Sequence, residues 1–120
     1  TASVWGRTSG GPFSAYSSSK HANIGFMRSL AEELGPRGIA VNAICPGWVR
    51  TDASMLSLAK LAARDGRSED DCLDEIMSAQ AFPGLMEPDD VAGTYLFLAS
   101  DLAANITGQT INVDRGELMA

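Results

Sequence analysis

The sequence predicts an α/β protein in which helices cover a parallel sheet. Segments with a helical apolar period alternate with short, largely apolar runs rich in Ile and Val, and those runs are too brief to be stable helices. Its length of 120 residues and hydrophobic content of 45% suit one modest globular domain without repeats or low-complexity tracts.

From Tyr16 to Leu34 the apolar residues Ile24, Met27, Leu30, Ala31 and Leu34 recur at three and four positions, the period of a helix. Ser14 is the expected N-cap, and Gly35-Pro36 the expected stop, glycine tolerating a left-handed turn and proline being unable to continue a helix. Phe26 lies off the stripe, so a second apolar side is available to a neighbouring subunit. The following run, "GIAVNAICPG", reads as a buried parallel strand. Pro88 can open a helix, which Val91, Ala92, Tyr95, Leu96, Leu98 and Ala99 extend to about Ser100. The closing "GQTINVD" is a second strand candidate.

Residues 52–86 interrupt this alternation. Two short amphipathic helices are expected around Asp65-Gly66, in a connection long enough to cover a ligand site at the carboxyl end of a parallel sheet. Met55, Leu56, Leu58, Leu61, Ile76, Met77, Phe82 and Leu85 offer a partly apolar lining for such a site, or the means of holding the segment to the body. A solvated surface insertion is the plainer alternative. The acidic cluster Glu69, Asp70, Asp71, Asp74 and Glu75 reads as helix-start and surface charge rather than as a metal site.

Acidic residues outnumber basic ones by 15 to 9, a formal net charge of -6, which disfavours a nucleic-acid backbone or an anionic membrane as partner. Cys45 and Cys72 lack CxxC spacing or a histidine cluster and read as reduced thiols of a cytoplasmic protein. No apolar run approaches the roughly 20 residues that span a bilayer. The chain opens on Thr1, which suggests that its start is missing.

The segment "SAYSSSK" sets Tyr16 and Lys20 four positions apart, on one helical face. A free phenol has a pKa of about 10 and is a poor base at neutral pH, but a nearby cation favours its ionised form. Lowering such a pKa to about 7 takes roughly 4 kcal/mol, and one ammonium at about 4 Å in an effective dielectric of about 20 supplies a similar amount. The pair is therefore adequate for a proton shuttle in carbonyl/alcohol redox chemistry. A developing oxyanion would also use a neutral donor, and the Ser3 hydroxyl suits that task if Thr1 and Ala2 finish a strand.

Ser3 of "TASVWG", the "SAYSSSK" helix start, the strand running into "WVRT" and the tail "ITGQTINVD", in this order and with these separations, resemble the short-chain dehydrogenase/reductase family. The resemblance covers nearly everything outside 52–86. It implies a Rossmann-type, doubly wound parallel sheet of which this chain is the carboxyl-terminal, catalytic half, and a cofactor, NAD or NADP. Tyr16 would be the acid/base and Ser3 the binder of the substrate oxygen, while Lys20 would assist Tyr16 and hold the nicotinamide ribose. Pro46 and Gly47 would wall the nicotinamide, and the Val49 backbone and Thr51 hydroxyl would meet its carboxamide. A small alcohol or ketone would be the substrate, and the helix from Tyr16 with the last helix and strand would make a homodimer or homotetramer.

No GxGxxG fingerprint occurs in the sequence. Arg115 stands in "VDRG" where the family commonly has glycine. A truncated, non-catalytic remnant or oligomerisation module is the alternative reading. Ser17 and Lys20 form S-x-x-K, but no K-T-G or S-D-N accompanies them. His21 reads as a helix-surface residue, and Asn105-Ile106-Thr107 as a chance glycosylation match. Trp5 and Trp48 either line a substrate pocket or simply pack.

Overall fold

Two short parallel strands organise the chain, β1 (Ala43–Pro46) and β2 (Thr110–Val113), with Ala43 opposite Thr110 and Pro46 opposite Val113. The structure is a computed structural model and describes residues 1–119. A helix α1 (Ser14–Leu34) precedes β1, and α2 (Asp52–Asp65), α3 (Glu69–Ser78) and α4 (Pro88–Leu98) intervene before β2. Parallel pairing requires such a crossover, because the chain must return to the end at which it began.

Residues 1–3 form no strand, although the Ala2 amide donates to the Ile44 carbonyl at 2.8 Å, on the edge of β1 opposite β2. A 3-10 turn, Val4–Gly6, follows. It packs against α1 so closely that a Cβ on Gly6 would lie 2.7 Å from the Lys20 carbonyl oxygen and 2.9 Å from Ile24 Cδ1. Only a residue without a side chain permits that approach. Behind it, Ala2, Ile24, Met27, Ala43 and Cys45 form the main core, with Val41 at its margin.

Element boundaries depart from the sequence reading in three places. Phe13, not Ser14, is the N-cap of α1 and makes no side-chain cap, because Ser17 N–H closes the first turn on the Phe13 carbonyl at 2.8 Å and so draws Ser14 into the helix. The helix passes Gly35 in right-handed geometry into a 3-10 turn, Gly35–Arg37, and the left-handed residue is Gly38 at φ 72°. β1 begins at Ala43 rather than Gly38, since β2 offers partners only from Thr110. Ahead of it, Asn42 bridges the Ile106 carbonyl and the Gln109 amide with its side chain.

The 52–86 segment is a helical excursion closed at its base. Val49 pairs with Met86 in an isolated parallel bridge, and the Arg50 amide donates to the Met86 carbonyl at 2.8 Å. Thr51 caps α2 through a reciprocal box with Ser54, and Ser68 caps α3, whose first turn carries Glu69, Asp70 and Asp71 against the positive end of the helix. Leu58, Ala62 and Cys72 form a separate small core between α2 and α3, joined by Trp48, Met55, Leu73 and Ile76. Of the apolar residues expected to line a ligand site, Met55, Leu58 and Ile76 belong to this internal core, while Leu56 and Phe82 are exposed.

The whole is elongated, 53 × 26 × 25 Å, with a radius of gyration of 15.8 Å, against about 14 Å for a compact domain of this length. Phe26, Leu96 and Leu102 are large apolar side chains left in solvent. No helix among the described residues is long and apolar enough to cross a membrane.

Candidate active site

Ser3 occupies the N-cap of the Val4–Gly6 turn in extended geometry, and its Oγ accepts a hydrogen bond from the Trp5 amide at 3.2 Å. The residue is buried, at 6% exposure. Behind it lies the fully buried Cys45; burial pushes its thiol pKa up, and a hydrogen bond with the Ser3 backbone opposes that shift. Tyr16 sits in the first turn of α1 and is half exposed, while Lys20, one turn on, holds its ammonium over the Tyr16 ring, 5.4 Å from the centroid. The contact at Gly6 brings these two elements together.

Ser3, Tyr16 and Lys20 line one cleft of about 670 Å³, whose other walls include Pro46, Gly47, Val49 and Thr51. All seven sequence-selected residues therefore meet in one place, though from three separate stretches of the chain. Gly47 sits at a close approach: a Cβ there would lie 2.8 Å from Asp114 Cβ and 3.0 Å from Asp114 Cα. The Thr51 hydroxyl is already engaged with Ser54 in capping α2, which ties this wall to the 52–86 segment.

Trp5 and Trp48 both face the cleft, as does Phe13, whose ring meets Trp5 edge-on at 5.0 Å. Pro88 and Val91 from the start of α4, and Ala53, Ser54 and Ser57 from α2, complete much of the wall. Periodicity assigned these residues only to helices, and nothing in their spacing marked the face that meets the cleft. Glu117 was also not foreseen. Its carboxyl lines the cleft, and Oε2 is buried without a hydrogen-bond partner among the described residues. Burial, and secondarily the neighbouring Asp114 carboxylate, raise its pKa. Asp114 itself is buried but satisfied, accepting from the Gly116 and Leu118 amides.

His21 lies on the α1 surface with Nδ1 at 2.9 Å from the Ser17 carbonyl. Both cysteines are buried and unpaired. Among the described residues no cluster of His, Cys, Asp or Glu has the geometry to hold a metal ion.

A family model described as enoyl-(acyl carrier protein) reductase matches residues 1–117. A monensin polyketide synthase protein named as a ketoacyl reductase, from Streptomyces virginiae, is 40% identical over 116 residues, which is 97% of this chain and 43% of that relative. Among solved structures, an actinorhodin polyketide ketoreductase with NADPH superposes with a TM-score of 0.89 at 33% identity, over 97% of this chain and 44% of that one. A 4-hydroxyisoleucine dehydrogenase complexed with NADH gives a TM-score of 0.74 at 33% identity, over 97% and 43%. The chain thus spans less than half the length of these proteins, and its helices and parallel strands superpose on part of their Rossmann-type fold. With the fold, the order of its segments and the family match in agreement, the chain belongs to the short-chain dehydrogenase/reductase family.

Proposed function

We propose that the protein containing this chain interconverts a secondary alcohol and a ketone by hydride transfer with NAD or NADP, and that Tyr16 is its acid/base. The observation that supports this most is the convergence of Ser3, Tyr16 and Lys20 on one cleft that also contains Pro46, Gly47 and Val49.

The nicotinamide end of such a cofactor fits this wall. A flat ring needs close approach to backbone, and Gly47 bears no side chain on this wall; the Cβ it lacks would meet Asp114 and Glu117, so the glycine also lets the tail pack against it. A cofactor bound there supplies or accepts the hydride.

The chain's own groups handle the oxygen and its proton. Ser3 Oγ accepts from the Trp5 amide, so its hydroxyl proton is free to point at a substrate oxygen and to stabilise charge developing there. In the reductive direction the Tyr16 hydroxyl gives its proton to that oxygen; in the oxidative direction it takes the proton back. The Lys20 ammonium, over the same ring, offsets the negative charge that the tyrosine oxygen carries between those events. Trp5, Phe13, Trp48 and Val91 exclude water from one side and suit a substrate that is apolar beyond its reacting carbon.

The test is a screen of ketones and secondary alcohols with both cofactors on the full-length protein, read as nicotinamide absorbance. Substrate-dependent oxidation or reduction of one cofactor is expected. Failure to bind either cofactor, or binding without turnover across the panel, would count against the reading.

A further inference from the structure

We infer that Arg115 is a positioning residue that latches the base of the 52–86 segment and the start of α4 against the tail, and so sets the wall of the cleft that Val49–Thr51 and Pro88–Val91 form. The inference rests on the reading of the cleft as the active site.

Among the described residues, Arg115 is the one non-glycine residue at positive φ, 53°. That backbone region disfavours any residue with a Cβ, so an arginine here costs stability unless its contacts return it. Its contacts are several and all run to one place. The Arg115 carbonyl accepts from the Ala81 and Phe82 amides, both at 2.9 Å. Its guanidinium donates through Nη1 to the Pro83 carbonyl and pairs through Nη2 with Asp90 Oδ2 at 3.4 Å. One residue of the tail therefore holds three consecutive residues on the return limb of the 52–86 segment and a first-turn carboxylate of α4.

The contacts continue past Asp90. The same Oδ2 accepts from the Glu87 amide at 2.8 Å, and the Glu87 carboxylate pairs with Arg50 Nε at 2.9 Å. Arg50 lies between Val49 and Thr51, which line the cleft, and Pro88 and Val91, one turn into α4, line it from another side. Each ion pair is partly exposed and individually weak. Their geometry is what matters: the latch ties the mouth of the cleft, at Val49–Thr51 and Pro88–Val91, to the end of β2. The two backbone bonds survive any substitution that keeps the local conformation, whereas the clamp on Pro83 and Asp90 depends on the side chain alone.

Arg115→Gly separates these contributions. Glycine takes positive φ without strain and preserves the Arg115 carbonyl, so only the clamp is lost. In the full-length protein the variant is expected to keep its Tm or gain slightly, while amide exchange over 81–86 quickens by about tenfold and exchange within α1 is unchanged. Substrate KM and cofactor KM are both expected to rise, by up to about tenfold, with kcat held within about twofold, and Arg115→Lys to restore part of the loss. A purely structural role would lower Tm and leave the exchange pattern and the KM-to-kcat split untouched. Unaltered exchange over 81–86 together with unaltered KM overturns the latch even if the enzyme is an active oxidoreductase. Faster exchange in a protein with no oxidoreductase activity upholds the latch and overturns the functional reading instead.

Discussion

The Lys20 ammonium lies over the face of the Tyr16 ring, 5.4 Å from its centroid, rather than extending into solvent. The helix makes this meeting cheap, because residues four apart already share a face. Removing the phenolic oxygen alone should therefore abolish proton transfer and leave the surrounding packing intact. Tyr16→Phe in the full-length protein is expected to lower kcat by about 10²- to 10⁴-fold, with cofactor affinity by calorimetry nearly unchanged. Lys20→Met should lower kcat and weaken cofactor binding together. Retained turnover in the phenylalanine variant would remove Tyr16 from the mechanism.

Gly6 controls the distance between the element bearing Ser3 and the helix bearing Tyr16. A methyl group there meets a helix carbonyl oxygen, which cannot move aside as a flexible side-chain end could. Gly6→Ala is expected to destabilise the protein by about 1–3 kcal/mol and to impair kcat beyond what lost stability explains. Chemical denaturation measured beside steady-state kinetics separates the two effects. A variant with normal kcat would show that Ser3 and Tyr16 need not be held at this spacing.

Gly47→Ala tests the cleft wall. Its Cβ would press on Asp114, whose carboxylate holds the tail turn through the Gly116 and Leu118 amides. Loss of cofactor affinity, with a lower Tm, is the expected outcome in calorimetry and thermal melts; unaltered affinity would place the ring elsewhere.

Glu117 gives a pH signature. Burial first, and Asp114 second, raise its carboxyl above the ordinary value of 4.5, so the folded protein holds this proton more tightly than the unfolded chain. Its contribution to stability is complete below about pH 4.5 and is lost as pH rises through the folded value. Glu117→Gln is accordingly expected to melt higher than the native protein at neutral pH, with the difference vanishing in acid below the ordinary carboxylate range. A difference independent of pH would mean that the carboxyl is not strained by ionisation.

Local chemistry was legible where one segment carries its own instructions. The α1 stripe, the Asp65-Gly66 break between α2 and α3 and the proline start of α4 are read from spacing and turn residues, because helices form from contacts three and four positions apart. Boundaries were less legible. Ser14 looked like a cap until the Phe13 carbonyl took the first turn, and β1 is shorter than its apolar run because a strand ends where its partner ends.

By itself, the sequence determined that Tyr16 and Lys20 share one helical face, since a spacing of four creates their proximity within a single helical turn. Only the tertiary structure decided that Ser3, Gly47 and Glu117 share a cleft with them, that Met55, Leu58 and Ile76 of the 52–86 segment pack into a core between α2 and α3, and that Arg115 reaches Pro83 and Asp90. Those relationships join positions far apart in the chain, and the parallel pairing of β1 with β2 brings them together through side-chain volumes and backbone approaches that no local pattern encodes.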